Sequence, residues 1–235
     1  MPVAPDGRPV AVVFADAWTR PSESDHTDDT ESVAALLRAG RHGFDVRTAG
    51  PAGERSLRDA LADPSTVLFA YPGADGDDET AFRRLRRDRG AIRRFVRGGG
   101  RYLGVCMGAF LAERGFLDLL DGRVEEYWSR KGATVTTPDP SLVTVSWRGR
   151  DRTLYFQDGG AIVLPRRTRR DAEVLATYPD GPAAAVVTSF GDGAIGLVGP
   201  HPDAPRSWFD DHGLDHPGDA DDLGQDLLDT LMARR

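Results

Sequence analysis

An α/β fold built on a mostly parallel sheet is the architecture this sequence predicts, and three observations carry it. In the first half, short apolar β-branched runs alternate with helix-patterned segments, the order expected of parallel strands joined by helical crossovers. A short strand-like segment, Arg101 to Val105, runs without a spacer into a helix-forming one, with the only cysteine of the chain, Cys106, at the junction. In the second half the helical spacing gives way to short β-rich runs separated by Gly, Pro and Asp, which reads as antiparallel hairpins extending one edge of the sheet or layered against it.

Each element has its own signal. Pro9 to Phe14 is a continuous β-branched and aromatic run, as in a strand buried on both faces. A polar loop spans Asp16 to Asp28, and Thr30 to Ala39 then sets Val33, Leu36 and Leu37 at helical spacing and stops at Gly40, a residue type that ends helices. Phe44 to Ala49 is the second strand. Ser56 caps a short helix that Pro64 ends, and Thr66 to Tyr71 is the third strand. It leads into the loop Pro72-Gly73-Ala74-Asp75-Gly76-Asp77-Asp78. Two amphipathic segments, Glu79 to Arg87 and Ala91 to Arg97, precede the triple glycine and the cysteine strand.

Beyond Phe116, strands are expected at Ala133 to Thr137, Leu142 to Trp147, Thr153 to Gln157, Ala161 to Leu164, Glu173 to Tyr178, Ala183 to Phe190 and Ala194 to Val198. Asp210 to Asp222 reads as an acidic loop and Leu223 to Ala233 as a closing helix with Leu227, Leu228 and Leu231 inward. The whole is expected to be one flavodoxin-like domain over residues 1–235, its sheet covered by helices on both faces, with the β-rich extension at about 133–199 within it.

Composition narrows the function. The formal net charge of −7 disfavours nonspecific nucleic-acid binding. The arginines at 83, 84, 86, 87, 89, 93, 94 and 97 share their segments with Phe82, Leu85, Ile92, Phe95 and Val96 at helical spacing, so they read as a solvated outer face, as do Arg166, Arg167, Arg169 and Arg170. One cysteine excludes an intrachain disulfide. No apolar run has the length of a membrane span, and Met1-Pro2-Val3-Ala4-Pro5-Asp6 lacks the regions of a signal peptide, so a cytoplasmic protein without a membrane partner is expected.

Gly104-Val105-Cys106-Met107-Gly108 has the form of a nucleophile elbow with sulfur in place of oxygen. The strand-to-helix turn holds the nucleophile in a strained conformation and the flanking glycines leave room for close approaches. Helix-start amides favour the thiolate, and the Met107 amide points where an oxyanion would form. The plainer alternative is a cysteine acting as a small buried hydrophobe.

A cysteine nucleophile needs a base. His201 follows an apolar strand almost at once, in Gly199-Pro200-His201-Pro202-Asp203, at the strand end where the elbow should lie, and Asp203 can orient its imidazole. A structural histidine in a Pro-rich turn is the other reading. His26, His42, His212 and His216 sit in polar contexts and are expected to be solvent-exposed. The cluster from Asp210 to His216 reads as a solvated loop rather than a metal site, since Gly213 and Pro217 oppose a helix. No metal and no cofactor is expected.

These residues carry a resemblance. The elbow and the later histidine motif resemble the class I glutamine amidotransferase superfamily, in which a G-x-C-x-G cysteine pairs with an H-x-E histidine and glutamate. More closely, Gly99 to Cys106, Tyr155-Phe156-Gln157-Asp158-Gly159 and Val198 to Pro202 resemble the stand-alone proteins called biotin-protein-ligase N-terminal-domain-like. The resemblance covers about residues 9 to 232. It implies Cys106 as nucleophile, His201 as base, Asp203 as orienting acid, and the backbone of Met107, Gly73 and Ala74 as oxyanion hole. Asp203 stands where the superfamily usually has glutamate, and Ala74 where relatives tend to have a second glycine. No adenylating or biotin-transferring domain is visible.

The activity implied is a cysteine-nucleophile amidase or glutaminase-type hydrolase acting through a thioester. With glutamine as substrate, the ammonia would pass to a separate synthase. The alternatives are a small-molecule-binding or regulatory module with a vestigial triad, a redox or small-molecule sensor in which Asp16, read otherwise as a turn residue, approaches the cysteine, and nucleic-acid binding through the arginine-rich helices.

Overall fold

The structure, a computed structural model, describes residues 7–17, 19, 28–218 and 220–234. The first six residues, His26 and most of the loop after Asp16 lie outside the described residues.

The first half supplies strands β1 (Val10–Phe14), β2 (Asp45–Ala49), β3 (Thr66–Tyr71) and β4 (Arg101–Val105), with helices α1 (Asp29–Ala39), α2 (Leu57–Ala62), α3 (Asp78–Leu85), α4 (Arg89–Arg97) and α5 (Met107–Leu111). The second half supplies β5 (Arg123–Glu126), β6 (Ser141–Trp147), β7 (Arg150–Phe156), β8 (Gly160–Val163), α6 (Arg166–Asp171), β9 (Glu173–Thr177), β10 (Ala183–Phe190), β11 (Gly193–Val198), α7 (Arg206–Asp211) and α8 (Asp221–Ala233).

One sheet runs in the order β2-β1-β3-β4-β11-β10-β9-β6-β7. From β2 to β11 neighbouring strands are parallel, and from β11 onward they are antiparallel. The hairpins therefore extend the sheet edge rather than forming a second layer, while β5 and β8 pair with each other and β8 joins β10. Because strand side chains alternate, Ala11, Val13, Leu68, Ala70, Leu103 and Val105 pack under α1 and α8. Val10, Val12, Phe14, Phe69, Tyr71 and Tyr102 pack under α2, α3, α4 and α5 on the other face. Burial on both faces is the reason these strands read as unbroken apolar runs.

Local signals fix the ends. The side chains of Asp28, Ser56 and Asp77 accept from backbone amides at the starts of α1, α2 and α3. The β6–β7 hairpin turns through two residues, Arg148 and Gly149, both at positive φ (50° and 78°), the type I′ geometry that suits strand twist.

Several expectations are corrected. Ala133 to Thr137 forms no strand: Val135 is buried, but the Thr134 amide bonds to the Tyr127 hydroxyl rather than to a neighbouring strand. The strand in this region is β5, whose two glutamates and single buried valine hid it. α1 does stop at Gly40 as expected, but at φ −72° rather than in a left-handed turn. A β-carbon there would lie 2.7 Å from the Gln225 amide oxygen, so the glycine admits the approach of α8. The acidic stretch expected as loop from Asp210 begins inside α7.

Candidate active site

The parallel strands end at one edge, and the chain leaves β3, β4 and β11 there through Pro72-Gly73, Cys106 and Gly199-Pro200-His201. Cys106 has φ 49° and ψ −106°, a sparsely populated conformation for a residue with a side chain. Its amide donates to the Val198 carbonyl at 2.9 Å, and its own carbonyl accepts from Ala109 at 2.9 Å as α5 begins. The flanking glycines have steric causes. A β-carbon on Gly104 would lie 2.4 Å from the Gly108 carbonyl oxygen, and one on Gly108 would lie 2.3 Å from that of Tyr71. The sulfur lies 3.5 Å from the Gln157 carbonyl oxygen, at the end of β7.

The fold brings His201 to the sulfur from two directions in sequence. Its strand, β11, lies beside the cysteine strand, and its amide donates to the Tyr155 carbonyl at 2.9 Å. The ring meets Trp208 edge-on at 5.2 Å and Tyr155 at 6.0 Å. Nδ1 lies 3.3 Å from Oδ1 of Asp203, and both side chains are buried. The two atoms face each other off the line of a hydrogen bond, so the contact is electrostatic. The other carboxylate oxygen of Asp203 accepts from the Ser32 hydroxyl at 2.5 Å. Burial pushes the His201 imidazole toward neutrality, but the facing Cys106 sulfur and Asp203 carboxylate outweigh it and hold its pKa well above the ordinary value.

Cys106 and His201 line a cavity of about 340 Å³ together with Gly73, Ala74, Met107, Phe110, Tyr155, Gln157 and Trp208. The Met107 backbone and the Gly73-Ala74 segment thus border the space next to the sulfur. Asp28, Asp29, Asp75 and Asp158 line it as well. Asp29, the first residue of α1, is partly buried. A β-carbon on Gly73 would lie 2.2 Å from Oδ1 of Asp29 and 3.0 Å from Cε1 of His201, so glycine there lets the carboxyl and the imidazole share one corner. Burial raises the Asp29 carboxyl to about 7, with Asp203, Asp75 and Asp28 adding to the effect and His201 opposing it.

Four contributors were not legible as site residues: Asp29, Ser32, Tyr155 as a wall of the cavity, and Trp208. Asp28-Asp29-Thr30 carried a signal only as a helix start. Asp16, read as a turn residue with an approach to the cysteine as the other possibility, is a fully buried turn residue whose amide donates to the Thr19 hydroxyl at 2.9 Å. It accepts from Arg84 at 3.2 Å and from the Thr19 amide at 3.1 Å, away from the cavity. His42 corrects the expectation of exposure, being partly buried with Nε2 2.8 Å from Asp229. His212 is exposed yet lines the cavity mouth, and His216 packs against Phe209 with ring centroids 4.7 Å apart. Among the described residues no cluster of three or more His, Cys, Asp or Glu could hold a metal ion. No helix among them is long and apolar enough to cross a membrane. The arginine-rich helices present a solvated outer face as expected, with Arg83, Arg84, Arg86, Arg87, Arg94 and Arg97 exposed, while Arg93 meets Asp118 at 2.8 Å and Arg93 and Arg97 lie over the Phe190 ring.

No family model matches the chain. The imidazole glycerol phosphate synthase subunit HisH of Granulibacter bethesdensis is 28% identical over 173 residues, 65% of this chain and 74% of that protein. Among solved structures, a glutamine amidotransferase from Thermotoga maritima superposes with a TM-score of 0.57 at 14% identity, over 96% of this chain and 99% of that one. A GH42 β-galactosidase from G. stearothermophilus matches with a TM-score of 0.55 at 14% identity, but this chain, 96% covered, spans only 30% of that protein's length. At such identities these structures speak for the fold alone. The chain thus has the fold of a glutamine amidotransferase, and its similarity to HisH supports the class I glutamine amidotransferase-like superfamily.

Proposed function

We propose that this protein is a cysteine-nucleophile hydrolase of C–N bonds, an amidase or glutaminase-type enzyme, with Cys106, His201 and Asp203 as its triad. The observation that carries the reading is the strained Cys106 turn beside a buried imidazole whose other nitrogen faces a buried carboxylate.

Cys106 Sγ, its proton passed to His201, attacks the amide carbon, forming a C–S bond while the carbonyl electrons move to oxygen. The amides of Met107 and of Gly73 or Ala74 receive that oxyanion. The tetrahedral species collapses, the C–N bond breaks, and His201 gives its proton to the departing amine. His201 then takes a proton from water, which attacks the thioester and releases the acid and the free thiol. Asp203 keeps the imidazole oriented and stabilises its charged form.

Glutamine is one substrate of this class. The name of the HisH relative, a synthase subunit, supports a separate synthase as acceptor of the ammonia in that case. Kinship to biotin-protein-ligase N-terminal-domain-like proteins rests on the motifs at Gly99 to Cys106, Tyr155 to Gly159 and Val198 to Pro202. The soluble, cytoplasmic setting read from the sequence fits this chemistry.

A second reading, a binding module with the same pocket and a vestigial triad, draws on the off-line contact between His201 Nδ1 and Asp203 Oδ1. Exposure to a glutamine-mimicking diazoketone and, in parallel, to iodoacetamide, read by intact mass with Cys106→Ser as control, separates the readings. A single adduct lost in the control supports the hydrolase. An unreactive thiol in folded protein supports the binding module.

A further inference from the structure

The charge of the cavity sets a condition on what enters it. Beside the nucleophile the described lining residues include Asp29, Asp75 and Asp158, and no lysine or arginine is among them. Asp75 and Asp158 are exposed at the rim, Asp158 taking a hydrogen bond from the Trp128 indole at 2.8 Å that leaves its charge in place. Asp29 sits deeper, its carboxyl against the Gly73 backbone and the His201 ring. Phe110, Tyr155 and Trp208 line the same cavity, aromatic side chains of the kind that attract cations. His201, the cationic group among the described lining residues, is already matched by the Cys106 sulfur and the Asp203 carboxylate, so a substrate carboxylate placed here meets further carboxylates, whereas an ammonium or guanidinium meets carboxylates and aromatic side chains.

Resting on the hydrolase reading above, we infer that the substrate of this site is an amide carrying a positively charged group and no carboxylate near its scissile bond, an acylated diamine or guanidino amine rather than free glutamine. Burial and the neighbouring carboxylates resist the ionisation of Asp29 more than His201 favours it, and a bound cation adds counter-charge there.

The test uses three chloroacetyl reagents on the intact protein at neutral pH and low salt: chloroacetamide, the chloroacetyl amide of ethylenediamine, and chloroacetylglycine. Rates of Cys106 alkylation are normalised to a neutral model thiol. The cationic reagent is expected to react at least about 10-fold faster than the anionic one, with the ratio shrinking as salt is added. Replacing Asp29 and Asp75 by Asn is expected to reduce the ratio several-fold. A ratio near one, or a faster anionic reagent, overturns the inference while leaving the hydrolase reading intact, provided chloroacetamide still labels Cys106. Failure of all three reagents to label folded protein overturns the hydrolase reading and with it this inference. The salt series on the unmodified protein decides the matter even where the Asn variant fails to fold.

Discussion

The Ser32 hydroxyl, on the first helix, donates to Oδ2 of Asp203, on the loop after the last strand, at 2.5 Å across 171 residues of sequence. This bond anchors the acid of the proposed triad. The Ser32 hydroxyl lies 3.1 Å from the Asp29 carbonyl as well, so the helix start, the acid and the cavity corner form one unit. Replacing Ser32 with Ala leaves a buried carboxylate oxygen without its donor. Because hydrogen bonds to charged groups are worth about 1.5–3 kcal/mol, roughly 10- to 100-fold lower Cys106 reactivity is expected in a protein that still folds. Ser32→Thr, which keeps the hydroxyl, should restore much of it. Equal rates in all three proteins would remove Ser32 from the mechanism.

Asp203→Asn keeps the shape of the acid and removes its charge. Since Asp203 is one of the groups holding the His201 pKa up against burial, the imidazole pKa should fall in this variant. An NMR titration of the His201 ring in both proteins reads the difference, and an unchanged value would mean that the cysteine sulfur alone sets it.

His201→Ala removes the proposed base. Alkylation of Cys106 at neutral pH is expected to slow by about 100-fold, the lower end of what a positioned general base contributes. A rate unchanged from wild type would mean that the turn alone activates the thiol.

Asp29 carries a pH signature in stability. Its folded-state pKa is raised from 3.8 to about 7, so the contribution of the neutral carboxyl is full below the unfolded value and is lost as pH rises through about 7. Asp29→Asn should therefore match wild type near pH 4 and exceed it at pH 8 by about 1–2 kcal/mol, the full shift being discounted for partial exposure. Urea midpoints at the two pH values give the comparison, and a variant less stable than wild type at pH 8 would contradict it.

An elbow glycine and a helix glycine predict opposite outcomes from the same substitution. Gly108→Ala drives a β-carbon to within 2.3 Å of the Tyr71 carbonyl oxygen, backbone that cannot swing aside, and should cost about 3 kcal/mol or more. Gly90→Ala, in α4, meets only the flexible end of Arg94 at 3.3 Å and should be neutral or stabilising by up to about 1 kcal/mol. Thermal unfolding of the two variants tests the contrast.

What the sequence by itself determined is what short-range chemistry encodes. The apolar runs of β1, β3 and β10, the caps at Ser56 and the glycine-flanked cysteine all follow from neighbours within a few residues, and so did the α/β class. His201 and Asp203 were also legible, because they follow the end of their own strand directly. Only the tertiary structure decided what depends on side chains distant along the chain meeting at the sheet edge. Ser32 reaches Asp203, Asp29 shares a corner with His201, and Tyr155 and Trp208 wall the cavity, because parallel strands bring every carboxyl end to the same side. A serine and an aspartate in the first turn of a helix look like capping residues until the crossover lays that helix against the end of β11. The missed strand has the same cause: Arg123–Glu126 pairs with Gly160–Val163 because the chain returns there, not because its polar residues favour a strand.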